Sequence, residues 1–189
     1  MENFVYKVAI LEWVNNTFKF GVFTTDKNLN ITSWNKWMVV HTNLSLSDVL
    51  GKNIFDLSGN LIDQKFLRFY EQALNGQVIV LSHVFHKYLI SIPPEPQFAK
   101  YFDKMQQTTQ IAPLVHEGKI IGTITIIEDV TERIVKEILL KNEKDLAQHY
   151  LDIAGVIILI LDENGNIKLI NKRGCEILGC DKQQVIRKN

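Results

Sequence analysis

The sequence predicts an α+β fold, and three observations carry the prediction. Five segments have the β-branched, apolar composition of strands: 18–25, 30–35, 77–85, 107–115 and 119–128. The helical segments gather between the second and third of these. The fifth strand turns directly into a helical stretch, reaching about Asp152, that contains no Gly and no Pro.

In chain order, residues 1–16 predict a short lead-in helix, with Val8, Leu11, Trp13 and Val14 near one stripe and Asn15-Asn16 closing it. The first two strands are joined by Asp26-Lys27-Asn28-Leu29-Asn30, where Asp and Asn supply the turn conformations. Residues 35–42 turn helical, with Trp37, Met38 and Val40 as candidate core contacts, and Ser45 to Leu50 is another short helix closed by Gly51. Residues 61–74 set Ile62, Phe66, Phe69, Tyr70, Ala73 and Leu74 on one helical face, and Gly76 sits where a C-cap glycine belongs. The connection 86–106 then carries Pro93, Pro94 and Pro96. Its length is uncommon in a compact domain and predicts a functional or mobile segment. Pro113, in the middle of the fourth strand, predicts a bulge or a break in the ladder.

The fifth strand, Lys119 to Glu128, is β-branched almost throughout, as in the middle of a sheet. Asp129, followed three residues later by Glu132, predicts a helix N-cap with its reciprocal partner. A central strand that becomes a helix is a mechanical coupling, because movement of one is movement of the other.

The chain also repeats itself. An ungapped shift of 136 positions lays 21–53 on 157–189 with nine identities, where about 2 are expected from composition. They include Asp26/Asp162, Asn28/Asn164, Asn30/Asn166, Ile31/Ile167, Asn35/Asn171 and Lys36/Lys172, which are turn and helix-start positions. The reading is a tandem repeat whose second copy is cut short.

The letters Asp129-Val130-Thr131-Glu132-Arg133 at the joint, and the front half's strand, turn, strand and "Trp-Asn-Lys" helix start, resemble PAS domains. That resemblance implies a five-stranded antiparallel sheet with helices on one face, a signalling helix, and a partial second PAS domain. It sets the boundaries at 1–16 for the lead-in helix, 17–129 for the first PAS domain, 130–152 for the helical linker and 153–189 for the second copy. It implies a sensory and regulatory role as the input part of a bacterial or archaeal signal-transduction protein. Asp129 and Thr131, which match the family's joint motif, would brace the strand-to-helix turn. The long 86–106 connection departs from the family, which joins these two strands briefly.

Composition narrows the function further. Lys plus Arg equals Asp plus Glu at 21 each, which gives no electrostatic reason to expect nucleic acid or an anionic membrane. The longest apolar run, Ala154 to Leu161, is far short of the ~18 residues of a membrane span. With no signal-peptide pattern at the N-terminus, the expected location is cytoplasmic. Cys175 and Cys180 read as small buried hydrophobes, with no second pair for zinc. His83 and His86, three apart on a predicted strand, would point to opposite faces and not form a metal pair. No phosphate loop, nucleophile elbow, cyclase motif or kinase phospho-acceptor box is present, and His149 lacks the flanking residues of the last, so no enzyme is expected within this chain.

No cofactor is expected either. Haem-binding relatives take an axial histidine from the helix before the third strand, and 61–74 has none. Flavin-binding relatives carry a reactive cysteine where this chain has Asn53-Ile54-Phe55-Asp56, which argues against a flavin adduct. Phe66, Phe69 and Tyr70, with Trp34 and Phe55, are candidates for lining a small-molecule pocket, although core packing is the preferred expectation for such aromatics. On the linker, Val135, Leu139, Asn142, Leu146, His149 and Ile153 recur at coiled-coil spacing and predict a homodimer, with packing against the chain's own domain as the alternative. Two other readings stay open. The chain is a dimerisation spacer without a ligand, or it belongs to a histidine kinase or diguanylate cyclase whose catalytic part lies beyond it.

Overall fold

The computed structural model describes residues 6, 9, 12, 13, 16–57 and 61–179. The chain divides into two compact units, Met1–Val135 and Lys136–Asn189.

In the first unit, strands β1 (Gly21–Asp26), β2 (Ile31–Trp34), β3 (Ile79–Leu81), β4 (Gln107–His116) and β5 (Lys119–Asp129) form one sheet in the order β2-β1-β5-β4-β3. Every neighbouring pair is antiparallel. Helices α1 (Lys36–Thr42), α2 (Leu46–Val49) and α3 (Leu67–Leu74) come between β2 and β3. Strand alternation assigns one face to the core: Phe23, Thr25, Leu81, Thr109, Ile111, Thr123, Thr125 and Ile127 are buried there. Met38 of α1 and Tyr70 and Ala73 of α3 are buried in the same cluster. β5 is central because its β-branched run has a partner strand on each side. A Cβ at Gly122 would run into the Thr25 carbonyl, so the close approach of β1 there requires glycine.

Several expectations need correction. The third strand is only three residues long, and Ser82 caps a helical turn, α4 (His83–His86), where a strand was expected. His83 and His86 therefore lie on a helix, and the His86 ring stands edge-on to Phe69 at 5.5 Å. Val40 faces solvent, because α1 buries Met38 and half-buries Trp37. The segment 61–74 starts with an isolated bridge between Ile62 and Ile90 and a 3-10 turn, Gln64–Phe66, before α3 begins at Leu67. Pro113 keeps its place opposite Thr123, and the bulge falls one step later, between Leu114 and Val115. β3 pairs only with Thr109, Gln110 and Ile111, so β4 is a free edge by Pro113, where proline is tolerated.

The long connection is a packed segment. Leu89, Ile90, Ile92 and Met105 are buried in the core, and the Met105 amide donates to the Ile92 carbonyl at 2.9 Å. Gln107 holds the segment to β4: its side-chain oxygen accepts from Leu89 and Ile90 amides at 3.0 and 3.1 Å, and its amide nitrogen donates to the Ile90 carbonyl at 2.8 Å.

In the lead-in segment the described residues Tyr6, Ala9, Glu12, Trp13 and Asn16 are helical, and Trp13 is exposed. The rest of its expected stripe, Val8, Leu11 and Val14, lies outside the described residues. Helix α5 (Thr131–Ile153) follows β5 after the single residue Val130. The second unit contains β6 (Leu159–Leu161) paired antiparallel with β7 (Ile167–Ile170), then α6 (Lys172–Leu178). Cys175 is half-buried, whereas Cys180 lies outside the described residues.

Candidate functional site

Two neighbourhoods of the first unit hold the residues singled out in the sequence. The first is the aromatic core. Tyr70 and Phe66 are fully buried, and Trp34 and Phe55 are buried beside them. The Phe55 ring meets Tyr70 edge-on at 5.8 Å, and Trp34 packs on Phe23 at 5.3 Å. Phe69 is half-buried, with the Arg68 guanidinium 4.6 Å from its ring centre. Phe55 also lines an open groove of about 440 Å³ with Leu29, Leu67 and Leu74 along it and Lys27, Asp56 and Glu71 as charged members.

Polar groups inside this core escaped the sequence reading. The Tyr70 hydroxyl and Thr125 Oγ1 are 3.2 Å apart, and the Thr25 and Thr123 hydroxyls are 2.7 Å apart. Burial pushes the Tyr70 phenol well above its ordinary value, only partly offset by the hydrogen bond to Thr125. Trp34 Nε1, Thr109 Oγ1 and His86 Nδ1 are buried without a hydrogen-bond partner. Threonines in a β-branched strand look like ordinary strand formers, so the only available signal was their recurrence at 123 and 125, on one face of β5.

The second neighbourhood is the joint between β5 and α5. The Asp129 carboxylate accepts the Thr131 amide at 2.9 Å. The Val130 carbonyl accepts the Ile134 amide at 3.0 Å, so Val130 occupies the N-cap position expected for Asp129. Asp129 caps from one residue earlier, through an Asx-type bond. Thr131, buried, accepts the Gln106 amide on Oγ1 at 2.8 Å, while the Gln106 carbonyl accepts the Val130 amide at 2.9 Å. The residue entering β4 is thus latched on both its donor and its acceptor to the two residues that start α5. Gln106 carried no recognisable motif.

In the second unit, Asn171 Nδ2 donates to the Leu151 carbonyl at 2.8 Å, and Asp152 accepts the Lys172 amide at 2.9 Å, so the last turn of α5 is tied to the start of α6. Leu139, Leu146 and Ile153 of the predicted seam are exposed on α5, and Val135 is buried. Among the described residues no helix is long and apolar enough to cross a membrane, and no group of three or more His, Cys, Asp and Glu residues could hold a metal ion.

The turns of the two units match in their electrostatics. Asp26 accepts Asn28 and Asn30 amides at 2.8 Å each, and Asp162 accepts Asn164 and Asn166 amides at 2.9 Å each. Partial burial pushes Asp26 up, but the hydrogen bonds from Asn30 and Asn28 outweigh it and hold the carboxyl below its ordinary value. Asp162 is lowered by the bonds from Asn166 and Asn164.

A family model described as the PAS fold matches residues 11–78, and a second, described as a PAS domain, matches residues 148–189. No curated protein matches the chain. Among solved structures, an RNA-binding light-oxygen-voltage receptor shares 18% identity and covers 77% of this chain and 39% of its own, with a TM-score of 0.51. The PAS domain of BvgS from Bordetella pertussis shares 16% identity, covers 76% of this chain and 99% of its own, with a TM-score of 0.48. The PAS domain of histidine kinase ThkA shares 20% identity, covers 58% and 98%, with a TM-score of 0.44. With the sheet order, the helices on its core face and these two matches in view, the chain belongs to the PAS family.

Proposed function

We propose that this chain is a sensory and regulatory module in which a ligand or partner acting on the first unit shifts β5, and α5 carries the shift onward. In this reading, residues 17–129 are the sensing domain, 130–152 the relay and 153–189 part of a second PAS domain. The observation that supports it is the latch at Gln106, whose backbone bonds to Val130 and Thr131 tie the sheet to the first turn of α5. A strain in β4 or β5 cannot leave that turn unchanged without breaking two hydrogen bonds.

A homodimer is part of this reading. The exposed apolar side chains of Leu139, Leu146 and Ile153 recur along α5 and would be covered by a second copy. The same stripe also supports the simpler reading of a dimerisation spacer without a ligand.

The test joins the chain through α5 to a histidine-kinase core as a reporter. Thr131→Val removes the acceptor for the Gln106 amide and should change the kinase output, whereas Thr131→Ser, which keeps the hydroxyl, should not. Equal output from all three, with the sheet intact by circular dichroism, would count against the relay.

A further inference from the structure

We propose that the connection between β3 and β4 builds a ligand site of its own, a cleft beside the sheet-to-helix joint that takes a small planar aromatic molecule carrying one anionic group. The cleft measures about 350 Å³, near the lower end of small-molecule sites, which run from roughly 300 to 1,000 Å³. It is separate from the aromatic core around Tyr70.

Three half-buried rings, Tyr88, Tyr101 and Phe102, line it and offer flat apolar faces for a ring to stack on. Lys87 and Lys104 supply two positive charges against the single negative charge of Asp103, a net charge of +1 in the lining. A third ammonium, Lys100, stands 4.9 Å from the centre of the Tyr101 ring. Rings with a surplus of positive charge complement an aromatic molecule bearing one anionic group, whether a carboxylate or a phosphate ester.

The backbone here is held in an unusual form. Lys87 adopts φ +61° and ψ −60°, which residues with a Cβ rarely do. Two hydrogen bonds hold it there: its amide donates to the His83 carbonyl at 3.0 Å, and its carbonyl accepts the Gln107 amide at 2.7 Å. That conformation holds a basic residue in the lining of a cleft that Gln106 also lines. The Gln106 side chain donates to the Lys104 carbonyl at 2.9 Å, while its backbone holds Val130 and Thr131. An anion drawn to Lys104 therefore acts one hydrogen bond away from the joint.

The binding claim stands whether or not α5 relays a signal. The test is amide chemical-shift titration of the full chain with adenosine 5′-monophosphate and with 4-hydroxybenzoate. Adenosine, inorganic phosphate and acetate serve as controls lacking either the charge or the ring. Saturable shifts at residues 87–88 and 101–106 are expected from at least one aromatic anion, with binding about tenfold weaker for each control. Response to the benzoate alone assigns a carboxylate, and response to the nucleotide alone assigns a phosphate ester; either supports the site. Lys104→Ala should weaken binding about tenfold, and the exposed Lys87→Gln provides a second variant that leaves the packed segment untouched. Shifts confined to other residues, equal binding of the controls, or full binding in both variants would overturn the site. Binding that leaves amide exchange in Thr131–Ile153 unchanged would support the site and count against the relay, so the two failures are distinguishable.

Discussion

Asn35 and Asn171, 136 positions apart, share three side-chain hydrogen bonds to backbone in two different units. Asn35 Oδ1 accepts the Val22 and Met38 amides at 3.1 Å each, and Nδ2 donates to the Phe20 carbonyl at 2.8 Å. Asn171 Oδ1 accepts the Ile158 and Gly174 amides at 3.0 Å each, and Nδ2 donates to the Val156 carbonyl at 2.9 Å. Each partner is displaced by the same 136 positions. The register shift between Thr24 and Thr25 recurs between Ile160 and Leu161, and the left-handed caps Asn43 and Gly179 correspond. The repeat is thus conserved between the units as a set of side-chain bonds to backbone, and strand, turn and helix start follow from them.

The first prediction concerns Asn35 itself. It is buried, and its side chain satisfies two amides and one carbonyl. Asn35→Ala leaves these groups to find other partners, at about 2–4 kcal/mol. Chemical denaturation should show the first unit's midpoint lowered, while Asn171→Ala leaves it unchanged. An unaltered midpoint for Asn35→Ala would mean that water replaces the side chain at no cost.

Alkaline pH supplies the second. Tyrosine ionises near 10, and burial of Tyr70 pushes its folded-state value higher. The unfolded chain therefore loses this proton before the folded one does. The contribution is fully present below pH 10 and is lost as pH rises from there toward the raised folded value. Tyr70→Phe should cost about 1 kcal/mol at neutral pH, for the lost bond to Thr125. It should also make the fall of melting temperature between about pH 9 and 11 shallower than in the parent chain. Parallel curves for the two proteins would show that Tyr70 reaches solvent and ionises normally.

Association gives the third. Leu146 lies half-exposed on α5 at the centre of the predicted seam. If a second copy covers it, Leu146→Asp must desolvate a carboxylate and should weaken the dimer. Sedimentation of the full chain at several concentrations measures this. An unchanged dimer would place the contact elsewhere, and a monomeric parent would remove the homodimer from the reading altogether.

Much of the fold was legible because its determinants are local. The Asp26 carboxylate accepts the Asn28 and Asn30 amides, Asn35 Oδ1 accepts the Val22 and Met38 amides, and β1 alternates buried and half-buried residues, all within one hairpin and the helix start that follows it. The third strand was over-read because Val80, Val84 and Phe85 have strand composition, whereas Ser82 accepts the Val84 amide and starts a helical turn. The length of the 86–106 connection points to a functional or mobile segment, yet its apolar residues Leu89, Ile90, Ile92 and Met105 pack into the core. No period links residues that pack by tertiary contact alone. The latch at Gln106 was invisible for the same reason: it uses backbone groups of one residue against Thr131, twenty-five positions away.

The last prediction tests the joint from its other side. Asp129 accepts the Thr131 amide, one of the first-turn donors of α5 that have no partner within the helix. Asp129→Ala removes that cap at about 0.5–2 kcal/mol, against roughly 5–15 kcal/mol for the stability of a whole domain. Five antiparallel strands and the buried cluster do not depend on the carboxylate, so the first unit should unfold cooperatively at a slightly lower temperature. The local effect should be larger. Amides of the first turn after Val130 should exchange faster than in the parent chain, while those at the centre of β4 and β5 keep their protection, because opening of a helix end is a separate event from opening of the sheet. Hydrogen exchange and thermal unfolding on the same samples separate the outcomes. Loss of protection across the whole sheet would show that Asp129 holds the fold. Unchanged exchange in the first turn would show that the Gln106–Thr131 bond alone keeps the joint closed.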